Sequence, residues 1–275
     1  MGKIISVVNQ KGGVGKTTTA INLGSCLAAL GKQVLLVDVD PQANATSGVG
    51  VDHHKLTDGI YDAMVGNKTI FDIIKRTVEK NYYIAPATAS LAGASIEMVN
   101  IENREFRLMN LLNSVRPEYD YIIVDGPPSL GLLTVNSLVA ADEILIPIQS
   151  EYYALEGLSQ LLETIALIQN NLKPSLRIMG AVVTMFDKRN RLSELIKNEL
   201  HQYFPNRVFN SIIPRNVRLA EAPSYGRTIL QYDKSSAGAK AYEDLAVEII
   251  ALDKKQNLNN DVDSRTGEDD SQATQ

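Results

Sequence analysis

The feature that most constrains this chain is QKGGVGKTT at positions 10–18, set between a short β-branched run (IISVV, 4–8) and an amphipathic helical pattern over 17–30 that stops at Gly31. Gly12, Gly13 and Gly15 let the backbone around Val14 curl so that successive N–H groups face inward. The helix beginning near Lys16 aims the positive end of its dipole at the same point. Together they make a cradle for a polyphosphate. Lys16 supplies a point charge, Thr17 a hydroxyl at the position that ligates Mg²⁺, and Thr18 a hydroxyl for an α-phosphate oxygen. The usual GxxxxGK[ST] pattern requires glycine where this chain has Gln10, so the match is to the variant KGGVGKT.

A strand that feeds such a loop needs a sheet to lie in. β-Branched runs at 34–39, 82–86, 120–124, 143–148, 177–184 and 208–213 alternate with helical patterns at 97–115, 155–171, 192–203 and 237–252. This alternation predicts an α/β fold, a single doubly wound, mainly parallel sheet of about seven to eight strands with helices on both faces. No repeat or composition break interrupts it before residue 253, so residues 1–252 are expected to form one domain. From 253 to 275 only Leu258 and Val262 are sizeable apolar side chains. That is too little to offset the entropy of ordering the segment, and a disordered acidic tail is expected.

Two of these strands end in carboxylates, at the edge of a parallel sheet where ligands bind. VLLVDVDPQ presents Asp38 and Asp40, and YDYIIVDGPPS presents Asp125. A carboxylate at the end of a buried strand is costly unless a cation lies near, and magnesium beside Thr17 is the natural partner. Asp125 is expected to touch Mg²⁺ through water. Asp38 is a second candidate for the magnesium shell, or else a turn cap. Asp40 is expected to orient the attacking water.

Composition narrows the function classes. A single cysteine, Cys26, excludes a disulfide framework, a CxxC redox pair and a cysteine-ligated metal site within one chain, and points to a reducing compartment, the cytoplasm. No signal peptide is legible, and no stretch approaches the ~20 apolar residues of a membrane span. The net charge is −5, but residues 173–240 hold twelve basic against five acidic side chains, a segment of +7 in a remainder of −12. Such a segment suits phosphate contacts with nucleic acid.

KGGVGKTT, LLVDVDPQ and YIIVDGPPS resemble the deviant-Walker P-loop ATPases, a group that includes the ParA partitioning proteins, the MinD division-site proteins and the nitrogenase iron protein. DPQANATSGVG (40–50), PPSLGLLTVNSL (127–138), SEYYALEGLSQLL (150–162) and IPRNVRLAEAPSYGRTI (213–229) narrow the resemblance to the chromosomal ParA proteins often called Soj. The resemblance implies an ATP- and Mg²⁺-dependent switch. Lys11 is then the signature lysine that crosses a homodimer interface to the other subunit's nucleotide. Gly12 lies where the two loops approach, and Lys11, Lys16 and Asp40 carry a slow hydrolysis that a ParB-like partner stimulates. Pro214, Arg215 and Asn216 are expected near the adenine. Arg189 and Arg218 match arginines implicated in non-specific binding of double-stranded DNA, with Lys188 and Arg191 beside them, which implies a nucleoid-associated protein. One departure is Gly126, where the family more often has Cys or Thr, and looser packing is expected there.

Two rivals follow from the same superfamily. A MinD-like or other positioning ATPase would act on a membrane or protein cargo. Its C-terminal anchor should be a basic amphipathic helix, whereas 253–275 carries six acidic and three basic residues, which an anionic bilayer repels. An iron-protein analogue needs two cluster-ligating cysteines per subunit, and Cys26 stands alone.

Overall fold

β1 (Lys3–Val7) runs directly into the glycine loop, and α1 (Lys16–Ala29) runs out of it. The computed structural model describes residues 2–151, 156–205 and 207–272; Tyr152–Leu155, within the SEYYALEGLSQLL stretch, lie outside the described residues. The remaining strands are β2 (Val34–Asp38), β3 (Lys75–Arg76), β4 (Tyr82–Ala85), β5 (Tyr121–Asp125), β6 (Glu143–Gln149) and β7 (Arg177–Thr184). The longer helices are α2 (Arg107–Val115), α3 (Leu132–Ala140), α4 (Glu156–Asn171), α5 (Arg191–Tyr203) and α6 (Ala237–Gln272). They surround a seven-stranded sheet of order β3-β4-β2-β5-β1-β6-β7, parallel except for the β3–β4 pair.

Period-two alternation along the strands divides the apolar side chains between two cores. Ile4, Leu35, Val37, Ile122 and Val124 face the helices α2 to α5, while Ile5, Val34, Leu36, Ile123 and Leu145 face α1 and α6. Both faces are therefore covered, as a parallel sheet requires. Each fully buried aliphatic side chain contributes roughly 1.5–3 kcal/mol.

Several elements differ from the expectation. Residues 208–213 make only isolated bridges, Ala181 with Val208 and, just beyond, Phe186 with Pro214. The Glu248 carboxylate takes the Asn210 and Ser211 N–H groups (2.9 and 3.0 Å), which interrupts the pairing with β7 between the Phe209 and Ile213 N–H groups. The helix expected over 97–115 is broken, because Asn103 sits at φ 54° in the left-handed region and only Arg107–Val115 continues as α-helix. α3 carries no sequence signal, since residues from Leu133 to Ala140 are buried on most sides and show no polar stripe. Finally, α6 continues past the expected end at Leu252. Its next turn is tied down: Lys3 Nζ donates to Glu143 (2.9 Å), Gln256 (3.1 Å) and Asp253, while Tyr121 donates to Asp253 (2.6 Å).

Candidate nucleotide site

The loop between β1 and α1 is built before any ligand arrives. Gly13 (φ 74°) and Gly15 (φ 89°) hold left-handed conformations that an L side chain resists, which turns the chain onto the start of α1. Asn9 ties the loop to β6, its Nδ2 donating to the Pro147 carbonyl (2.8 Å) and its Oδ1 accepting from Lys11 N–H (3.0 Å). From β7, Thr184 Oγ1 donates to the Val14 carbonyl (2.8 Å). Asn9 and Thr184 were not singled out in the sequence; the signal they carried was only their place at strand carboxyl ends.

Lys16 is buried and donates to the Lys11 carbonyl (3.1 Å). Burial lowers its pKa, and Asp125 and Asp40 pull it back up. An anion in the loop would stabilise this ammonium further. Thr17 and Thr18 follow in the first turn of α1. A Cβ on Gly12 would meet nothing within 4 Å, so packing within the chain does not require glycine there.

β2 and β5 lie side by side with Asp38 paired to Asp125 in register, and Val7 of β1 is Asp125's partner on its other side. The two aspartates differ in their surroundings. Asp38 Oδ2 accepts from the Thr46 N–H and hydroxyl (both 2.7 Å), and Oδ1 accepts from Asp40 N–H (3.1 Å), the turn-cap arrangement. Asp125 is completely buried, and neither of its oxygens has a hydrogen-bond partner among the described residues. Burial, then the negative charge of Asp38, pushes its carboxyl well above the usual range. The Thr17 hydroxyl works the other way, as does Lys16, while Asp40 adds to the rise. A buried carboxylate with free oxygens beside a threonine hydroxyl is a donor set that fits a hard divalent cation. Asp40 is buried, its Oδ1 accepting from Gln42 N–H (3.0 Å).

Next to the loop is a cavity of about 230 Å³ walled by Gly15, Thr18, Pro214, Arg215, Asn216 and Tyr242. Asn216 Oδ1 caps the short helix Val217–Glu221 by accepting from Arg218 and Leu219 (2.8 and 3.3 Å). Glu151, just beyond β6, lies 3.6 Å from Lys11 and 3.5 Å from Arg215, an acidic neighbour of the loop not anticipated from sequence. At Gly126 a Cβ would make ordinary contacts, 3.6 Å from Ser137 Oγ at the closest.

The candidate DNA-contacting residues divide into two groups. Lys188 and Arg189 join Arg215 and Lys240 along a groove of about 830 Å³ that also holds Asp187 and Asp244. Arg191, at the start of α5, and Arg218 are not among its lining residues. Arg189 is held by Asp187 through two hydrogen bonds (3.0 and 2.8 Å), and Arg218 by Glu221 (3.0 Å) and Asp233 (3.5 Å). These pairs are exposed and easily exchanged for phosphate. Lys240 comes from α6, too far along the chain for spacing to have linked it to Arg189.

A glycine loop between a parallel strand and a helix, with a buried aspartate ending the neighbouring strand, defines a P-loop nucleotide hydrolase. A family model described as AAA domain matches residues 2–178. The sporulation initiation inhibitor protein Soj of Bacillus subtilis is 54% identical over 251 residues, covering 91% of this chain and 99% of that protein. The chromosome partitioning protein ParA of Myxococcus xanthus is 50% identical over 253 residues, covering 92% of this chain and 89% of its own length. Among solved structures, cobyrinic acid a,c-diamide synthase from Mycobacterium smegmatis with bound ATP analogue and magnesium superposes with TM-score 0.82 at 33% identity, covering 92% of this chain and 96% of that one. The chain belongs to the ParA/Soj family of P-loop ATPases.

Proposed function

We propose that this protein is an ATP-dependent switch for chromosome or plasmid partitioning, residing on the nucleoid in the cytoplasm, with residues 1–252 and the turn through Gln256 that ties onto them as its working unit. ATP binding closes a homodimer, the dimer binds double-stranded DNA without sequence preference, and a ParB-like partner stimulates slow hydrolysis that resets it. The observation that carries the catalytic half is Asp125, a buried carboxylate with both oxygens unengaged beside Thr17 and Lys16. Asp125 and Thr17 would hold magnesium, which neutralises charge on the transferring phosphoryl group. The loop N–H groups and Lys16 hold the β- and γ-phosphates, and Pro214–Asn216 close over the base. Asp40 orients a water for in-line attack on the γ-phosphorus, and the bond to the bridging oxygen breaks with ADP as leaving group.

Two features support a dimer. Gly12 has open space around it within one chain, which leaves room for a second subunit's loop to approach there. Lys11 sits on the rim, partly exposed, with Glu151 as a weak counter-ion that a partner's phosphate would displace. Two basic grooves in one dimer give twice the phosphate contacts of a monomer, which ties DNA affinity to nucleotide state.

The test is fluorescence anisotropy on a labelled non-specific duplex with ATP, ADP or no nucleotide, across a salt series. Binding that requires ATP and falls steeply with salt is expected, and Arg189→Glu should abolish it while ATP-dependent dimers persist in light scattering. ATP-dependent dimers that bind no DNA at any salt would replace DNA with a membrane or protein cargo.

A further inference from the structure

The sequence leaves Asp38 between two roles, magnesium ligand and turn cap, and the hydrogen bonds around it give the second a wider reach. Ala87 N–H, from the segment after β4, donates to Thr46 Oγ1 (3.0 Å), the Thr46 hydroxyl donates to Asp38 Oδ2 (2.7 Å), and the Thr46 N–H donates to the same oxygen (2.7 Å). On the other side Asp38 Oδ1 accepts from Asp40 N–H (3.1 Å). Every hydrogen in this relay points toward the carboxylate, and both Asp38 and Thr46 are completely buried. Between the two ends of the relay lies the turn that carries Asp40, closed by Ala43 N–H to the Asp40 carbonyl (2.9 Å) with Ala43 itself in the left-handed region at φ 52°. A turn that holds a non-glycine residue there needs its ends fixed by surrounding contacts.

We propose that Asp38 and Thr46 are positioning residues for Asp40: a buried clamp that fixes the turn bearing the water-orienting carboxylate, with Asp38 taking no part in holding magnesium. The proposal rests on the reading of Asp40 given above. Asp38 accepts from three protein donors, whereas neither oxygen of its register neighbour Asp125 has a hydrogen-bond partner among the described residues. The division of labour is therefore Asp125 for the cation and Asp38 for the geometry. Catalysis is sensitive to such support, since a misplacement of about 1 Å can cost on the order of 100-fold in rate.

Thr46→Val keeps the shape of the side chain and removes the hydroxyl, so it cuts the relay at its centre. In the full-length protein, the expected result is a fall of at least about 10-fold in the single-turnover rate of ATP hydrolysis. Affinity for a non-hydrolysable ATP analogue and the Mg²⁺ concentration for half-maximal binding should stay within twofold of wild type. Thr46→Ser, which keeps the hydroxyl, should restore the rate. Asp38→Asn, which weakens the acceptor, should reproduce the kinetic loss if Thr46→Val does not fold. A wild-type rate in a folded Thr46→Val or Asp38→Asn protein would overturn the clamp. A raised Mg²⁺ requirement in Asp38→Asn would return Asp38 to the magnesium shell. Asp40→Ala is run in parallel: if it hydrolyses ATP at the wild-type rate, the role of Asp40 itself fails, a result distinct from failure of the clamp.

Discussion

Replacing Asp125 by Asn tests whether the site stores an electrostatic penalty that its ligands relieve. In the free protein the carboxylate is completely buried, has no hydrogen-bond partner among the described residues, and faces Asp38 in register on the next strand. Leaving a buried polar group unsatisfied costs about 1–3 kcal/mol, and more when the group is charged. Asn keeps the shape and is itself an unpartnered buried amide, so Asp125→Asn should stabilise the nucleotide-free protein only by the extra cost that the charge adds, on the order of 1 kcal/mol. For a chain of this size each 1 kcal/mol corresponds to about 2–4 °C, so the melting temperature in EDTA should rise by about as much. The order should reverse with Mg²⁺ and a non-hydrolysable ATP analogue. Wild type gains about 2.7 kcal/mol at a hundredfold excess over Kd, and the variant should gain far less. Differential scanning fluorimetry in the two buffers measures both effects. A variant that melts below wild type in EDTA would refute the reasoning, because Asp125 would then be contributing to the fold instead of being strained by it.

Other outcomes follow from the packing. Cys26 is buried and its thiol is pushed far above the usual range by burial, with Glu243 and Glu79 adding to the effect; it should resist maleimide in the native protein and react at the rate of unfolding, and rapid labelling without denaturant would contradict this. A Cβ at Gly24 would stand 2.6 Å from Tyr82 Oη and 2.7 Å from its ring, so Gly24→Ala should cost about 1–3 kcal/mol in urea melts, the usual range for overpacking. Lys3→Met removes the nearer of two cations beside buried Glu143 and should cost roughly 2–3 kcal/mol, at the low side for a broken buried pair because Arg177 (3.8 Å) and the Gln256 amide (3.2 Å) still face that carboxylate; hydrogen exchange should then quicken around Asp253.

The fold was legible wherever one face of an element is apolar and the other polar, or where turn chemistry punctuates the chain. β7 falls over 177–184 as expected, and α1 begins at Lys16 and gives way to Gly31, which holds φ 86°. Legibility failed where a distant side chain settles the local outcome. The apolar run 208–213 reads as a strand until Glu248, from α6, captures the Asn210 and Ser211 N–H groups at its middle. α3 is buried on most sides and shows no stripe. In the site, the phosphate loop and the three aspartates stood out because glycine spacing and strand-end charge are local signals. The different surroundings of Asp38 and Asp125 were not legible, since they depend on Thr46 and on which strands are neighbours. The basic groove was half legible for the same reason: Lys188 and Arg189 are adjacent in sequence, whereas Lys240 reaches them only through the packing of α6.

The strand order has a consequence for how the protein is made. Among the described residues β1 pairs with β5 and β6, and β5 lies between it and β2. While the ribosome is still adding residue 115, the nascent chain already contains the whole glycine loop but no strand for β1 to pair with. The loop cannot take its final shape until β5 inserts between β1 and β2, and its Asn9 and Thr184 tethers wait for β6 and β7. A nucleotide therefore cannot template early folding of the segment that binds it. Synthesis passes through a long interval with an apolar, unpaired first strand, and contacts this distant in sequence form slowly. Fragments that stop short of Tyr121 should be degraded or held by chaperones, however complete their phosphate-binding sequence.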